Sequence, residues 1–207
     1  MVIAVTVDSS APPGLRERKK LQTRGALSWA VIRLSVERGW HNVTMDDAAA
    51  AANVSGRTFR NYFSSKAEAV AARHLDRMLR IAAELRARPA SEPLWDAITG
   101  AVLTEFEAGQ PESRQWTDAI QLIITEPDVT GEFLKANATA ERDLAAAVAA
   151  RTGTDPARDL YPALVAGATG AAIAAVMEHW LHADPPAAIG ALMRVAFGRL
   201  RAGLPPP

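Results

Sequence analysis

Cysteine is absent from the 207-residue chain. That excludes a disulfide framework and any cysteine-held metal, and it fits a reducing compartment. The N-terminus lacks a basic start followed by an apolar run, so it does not read as a signal peptide, and a cytoplasmic location is expected. A glycine-rich phosphate loop and a Gly-x-Ser-x-Gly nucleophile elbow are both missing. No catalytic residue or cofactor is therefore assigned. An alternating strand pattern and an internal repeat are also lacking, which leaves an all-α fold. Histidine is scarce: His41, His74, His179 and His182 make up the full set. Glu178 and His182 stand one helix turn apart, but two ligands without a third make no metal site. The longest uncharged run, Leu160 to Met177, is 18 residues long, at the lower limit of a membrane span. It is rich in Ala and Gly and contains Pro162, so it reads as a buried helix at a soluble interface.

The chain has no net charge, yet its charge is not spread evenly. Residues 1–80 carry 13 Lys/Arg against 7 Asp/Glu, a surplus of six, and residues 81–207 carry 10 against 16, a deficit of six. A basic first part can face a polyanion, and an acidic remainder avoids one.

Hydrophobic residues make up 49% and charged residues 22%, enough apolar surface for a sizeable core. Leu27, Ala30, Val31 and Leu34 repeat at i, i+3, i+4, i+7, which predicts an amphipathic helix over 15–38, stopped by Gly39. Thr44 is placed to cap a short alanine-rich helix, with Asp47 as an acidic partner in its first turn. Asn53 occupies the turn, where asparagine tolerates left-handed backbone. Ser55 caps a third helix to about Phe63, with Val54 and Phe59 set as a hydrophobic staple, and Ser65–Glu68 reads as a capping box opening a fourth to about Arg88. Further helices are predicted near 93–108, 112–125, 129–151, 157–183 and 186–201.

A short capped helix, a tight turn and a second capped helix match the helix-turn-helix plan. The second helix carries Arg57, Thr58, Arg60, Asn61 and Tyr62, which hydrogen-bond base edges or phosphates in such a setting. Phe59 and Phe63 fall on the other face as anchors. Gly56 permits close backbone approach to DNA, while the caps Thr44 and Ser55 present free N–H groups to phosphate. Lys66 opposes the dipole of the helix it starts, so it reads as a phosphate contact rather than a cap. Arg16, Arg18, Lys19, Lys20 and Arg24 add a basic end to the first helix, equally suited to the DNA backbone and to solvent.

Over residues 15–75 the chain resembles the TetR family of repressors. The features that carry the resemblance are the long first helix, Gly39-Trp40, Thr44, the small-residue second helix, Val54-Ser55 and Phe59-Arg60-Asn61-Tyr62-Phe63 followed by Ser65-Lys66. Ala48 and Asn53 depart from the common pattern, as do Arg60 and Asn61, so base preference does not carry over. The resemblance implies a homodimer on palindromic double-stranded DNA, a DNA-binding domain over 15–65, a helical ligand-binding and dimerisation domain over 66–202, and short tails at 1–14 and 203–207. It also implies an effector held among the middle helices and pairing of the last two helices across a twofold axis. The recognition-helix sequence and the Trp116–Phe133 stretch further resemble regulators linked to mycofactocin genes, which implies an acyl-CoA-like effector.

In the middle helices, Trp95, Phe106, Trp116, Ile120 and Phe133 lie on apolar stripes, and Asn137 interrupts one of them with a polar group. These six are the candidate ligand-binding residues, in a cavity suited to an apolar or amphipathic molecule. Near the C-terminus, Leu164, Gly167, Ala168, Ala171 and Ala175 form a smooth face, and Ile189, Leu192, Met193, Ala196 and Leu200 an apolar stripe, both expected to seek a second chain. A regulator without a small effector, and a helical carrier or enzyme using the cavity, are the competing readings.

Overall fold

The structure, a computed structural model, describes residues 14–107, 114–183 and 188–205. The expected tails and the first turn of the last expected helix fall largely outside them. Nine α-helices follow one another among the described residues, with no strand. Helix α1 (Leu15–Arg38) ends where Gly39 takes φ 85° and its N–H bonds Ser35 O, a conformation costly for any residue with a Cβ. A single 3₁₀ turn (Trp40–Asn42) leads into α2 (Met45–Ala51) and α3 (Gly56–Tyr62). Asn53, between them, is left-handed at φ 55°, as its side-chain chemistry allows. Helix α4 (Lys66–Ala87) runs on into the larger half of the molecule.

That half contains α5 (Leu94–Glu107), α6 (Arg114–Ile124), α7 (Pro127–Thr152), α8 (Leu160–His182) and α9 (Ile189–Arg201). Pro127 opens α7 at a position where its missing N–H costs nothing, and Gly153 closes it in the left-handed region. Pro162 is tolerated because it falls in the first turn of α8. Helix α8 is long and apolar enough to cross a membrane by length and composition alone, but it packs between α7 and α9 and buries Val165, Ala166, Ile173 and Val176.

Two apolar cores hold the fold. The larger lies among α4, α5, α7, α8 and α9 and is built on Ile81, Leu85, Ile98, Val102, Leu144, Val148, Met193 and Phe197. The smaller centres on Leu27, Val31, Trp40, Phe59 and Phe63. It also takes in Ala67, Ala69 and Val70 from α4, Ile123 from α6 and Val129 from α7, so it does not stop at residue 65. The staple forms, with Val54 packed against the core that buries Phe59. The Ser65 cap forms only in half: its hydroxyl accepts from Glu68 N–H at 3.0 Å, but the Glu68 carboxylate takes the N–H and hydroxyl of Ser64 instead. The apolar stripe of α9 also departs from expectation. Met193 is fully buried and Ile189, Leu192, Ala196 and Leu200 pack on the chain's own core, so this stripe needs no second chain. The face of α9 left outside carries the small residues Ala191, Val195 and Gly198 together with Arg194 and Arg199.

Candidate nucleic-acid interface and ligand cavity

Capping fixes the geometry of the helix-turn-helix. Thr44 Oγ1 accepts from Asp47 N–H at 3.1 Å, and the Asp47 carboxylate accepts from Thr44 N–H at 2.9 Å, a reciprocal box at the start of α2. The Thr44 hydroxyl also donates to that carboxylate at 2.5 Å, and this bond first, with the one from Thr44 N–H, holds the Asp47 carboxyl below its ordinary range. Ser55 Oγ caps α3 by accepting from Thr58 N–H at 3.1 Å, and its hydroxyl meets that of Thr58 at 2.9 Å.

On α3, Phe59 is wholly buried against Phe63, with ring centroids 5.7 Å apart. One turn of helix geometry then places Arg57, Arg60 and Asn61 together on the opposite, exposed face, with Thr58 and Tyr62 half-buried at its edges. Thr44 is exposed beside them. Asp46 also stands there, and its carboxylate lies 3.4 Å from the Arg60 guanidinium. A Cβ on Gly56 would collide with that carboxylate, so in this structure the glycine makes room for Asp46 rather than for a ligand.

Lys66 faces inward. Its ammonium donates to the carbonyl oxygens of Trp40 and Val43 and lies 4.2 Å from the centre of the Trp40 ring. Partial burial lowers its pKa, against the pull of Asp128 and Glu126. It clips the turn that carries Thr44 to the head of α4. The sequence shows only a cation at a helix start, and the carbonyls that claim it lie more than 20 residues away.

A cavity of about 1350 Å³ opens among α4, α6, α7 and α8, with the start of α9 at its rim. This is ample for a drug-sized molecule. Four of the six expected ligand residues line it: Phe106, Ile120, Phe133 and Asn137. Trp95 does not. It sits three turns of α5 from Phe106, about 16 Å along the axis, and packs on the larger core. The side chain of Trp116 lies outside the described residues.

Asn137 Oδ1 meets His74 Nε2 at 2.6 Å across the α4–α7 contact, and the His74 ring stacks on Phe133 at 5.2 Å. Burial lowers the His74 pKa, opposed by the Asn137 bond and reinforced by Arg77. Arg73 and Arg77, on the same side of α4, line the cavity with their guanidinium groups over aromatic rings, Arg73 at 4.8 Å from Trp29 and Arg77 at 4.7 Å from Phe106. Sequence reasoning missed all three α4 residues. Gly167 and Ala171, expected on a smooth outer face, line the cavity wall as well. Among the described residues, no group of three or more His, Asp or Glu is placed to hold a metal.

Similarity to known proteins agrees with this architecture. Residues 30–72 match the family model described as bacterial regulatory proteins, tetR family, and residues 92–205 match the MftR C-terminal domain. The helix-turn-helix transcriptional regulator TcmR of Streptomyces glaucescens is 31% identical over 179 residues, which cover 83% of this chain and 79% of TcmR. Among solved structures, the fatty acid degradation regulator FadR from Bacillus halodurans superposes with a TM-score of 0.57 at 15% identity, over 94% of this chain and 98% of that one. A TetR-family regulator from Streptomyces coelicolor aligns over 92% and 99% of the two chains at 20% identity, with a TM-score of 0.46. By its two matched domains and its likeness to TcmR, the chain belongs to the TetR family of bacterial transcriptional regulators.

Proposed function

We propose that this regulator is a cytoplasmic repressor that binds a palindromic operator as a homodimer and is released by a small apolar or amphipathic effector. The acyl-CoA-like effector implied by the sequence resemblance belongs to this class. One observation carries the reading: the cavity and the DNA-binding unit share structural members. Val70 of α4 and Ile123 of α6 line the cavity and are also buried in the core that holds Phe59 and Phe63. A molecule that displaces these walls strains the seat of the recognition helix.

Arg57, Arg60 and Asn61 read base edges in this proposal, and Thr44, Ser55, Thr58 and Tyr62 hold phosphates. Lys66 supports them by fixing the Trp40–Val43 turn. The outer face of α8, with Leu164 58% exposed, and that of α9, with Val195 63% exposed, supply the dimer contact. Effector binding then changes the separation of the two recognition helices away from the roughly 34–36 Å between successive major-groove faces. The effector needs only to bind the released state better, by about 1–3 kcal/mol.

Selection of bound sequences from a random DNA pool tests the first half and is expected to return a palindrome. Release of that operator by compounds that protect the protein from thermal unfolding tests the second. Recovery of no preferred sequence would refute the regulator reading, and protection without release would refute the effector coupling.

A further inference from the structure

Helix α4 carries arginines at 73, 77 and 80, and their surroundings differ. Arg80 is matched by Glu105 at 2.8 Å, and nearby Arg24 is matched by Asp76. Arg77 is not matched: among the described residues its guanidinium has no hydrogen-bond acceptor and no carboxylate within ion-pair distance. It is half-buried against the Phe106 ring; burial first, then the positive charges of Arg73 and Arg80, push its pKa down, opposed by the more distant charge of Glu105. A guanidinium has five N–H donors that cannot be silenced by deprotonation, so a desolvated one with no acceptor is a vacancy for an anion.

The surrounding space sets the size of that anion. Arg73 and Arg77 line the large cavity on one side and, on the other, a crevice of about 130 Å³ shared with Gly25, Ser28, Asp76 and Arg80. The crevice has room for a carboxylate, and the Asp76 carboxylate, held by Arg24, already stands at its edge. The Phe106 ring lies against Arg77, and the cavity lining is largely apolar, with Met78, Ile120 and Ile173 beside the polar His74, Gln121 and Asn137. The acidic side chains that reach the cavity are Glu105, already held by Arg80, and Glu141 and Glu178 on the α7 and α8 walls.

We infer that the effector is an apolar molecule ending in a small free oxyanion, a carboxylic acid in its ionised form, whose carboxylate takes the fork of Arg77 with Arg73 beside it. This rests on the reading of the cavity as an effector site. It narrows that reading to free acids over neutral analogues and over thioesters with a bulky head. Bidentate pairing with a guanidinium is directional and charge-assisted, so the acid gains where an alcohol of the same length does not.

The test uses three twelve-carbon probes below their micelle concentrations: dodecanoate, dodecan-1-ol and dodecanoyl-coenzyme A. Calorimetric titration of the full chain is expected to show dodecanoate binding at least tenfold tighter than dodecan-1-ol and tighter than the thioester. Arg77→Gln is expected to bring acid and alcohol within threefold of each other while the alcohol is unchanged. Arg77→Lys, which keeps the charge, is expected to retain a clear preference, and its unchanged melting temperature guards against a folding artefact. Equal binding of acid and alcohol by the unmodified protein would overturn the inference and leave the effector cavity standing. So would a thioester that binds tightest and ignores Arg77→Gln. Binding of none of the three would overturn both.

Discussion

Lys66 separates two kinds of contribution to DNA binding, and a single substitution tells them apart. Lys66→Met keeps the length of the side chain and removes its charge. Two charge-assisted hydrogen bonds, to Trp40 O and Val43 O, and a cation–π contact at 4.2 Å are lost. Hydrogen bonds to charged groups contribute about 1.5–3 kcal/mol each, and a cation–π pair adds roughly 0.5–1 kcal/mol near the surface. The desolvation that lowers the Lys66 pKa opposes these gains, and both carbonyls can take water once the ammonium is gone. A net cost of about 2 kcal/mol is expected, which corresponds to a melting temperature lower by roughly 4–8 °C for a protein of this size. Scanning calorimetry checks it. Operator affinity is expected to fall by a similar factor at every salt concentration, because Thr44 loses its support. If the melting temperature holds while the salt slope flattens by about one unit, the ammonium sits on a phosphate and the clip is refuted.

Three further outcomes follow from the same geometry. Asp46→Asn removes a carboxylate from the DNA-facing side and frees Arg60; at about 1 kcal/mol for such a charge in water, operator binding is expected to tighten roughly fivefold, read by anisotropy titration, and unchanged or weaker binding would count against that face. Because burial depresses the pKa of His74, the unfolded chain takes up its proton first as pH falls below about 6.5. Stability is therefore complete above that pH and is lost below it, by at most about 1.4 kcal/mol per pH unit from this one group. Denaturant melts of His74→Gln are expected to lose that part of the pH dependence. Leu164→Arg combined with Val195→Arg is expected to sediment as a monomer and to lose palindrome binding; a stable dimer would move the interface elsewhere.

The helices were legible because their punctuation is local. Gly39, Thr44 and Ser55 each act within one turn of their own position, and the stripe of α1 exposes its period directly. The exposed face of α3 was legible for the same reason, since Phe59 pointing inward fixes where Arg57, Arg60 and Asn61 go. The cavity wall on α4 was not. Arg73, His74 and Arg77 carry no mark in the sequence that sets them apart, because α5 brings Phe106 and α7 brings Asn137 against them only in the fold. Lys66 is the same kind of case, a charge whose acceptors come from another element. The α9 stripe shows the opposite limit: period gives the apolar face, but whether that face meets the chain's own core or a second chain is decided by packing alone.

The shared smaller core also bears on how members of this family can be recombined. Ile123 and Val129 belong to the C-terminal half of the sequence, yet they fill the interior behind Phe59 and Phe63. A chimera that grafts a foreign reading head onto residue 66 would set that interior against side chains chosen for another shape. The misfit is of the kind that costs about 1–3 kcal/mol per overpacked or emptied position. The graft that respects the packing carries the α6–α7 corner with the head, although more than 50 residues of sequence separate them. Modularity in this chain follows the boundaries of its cores rather than the order of its helices.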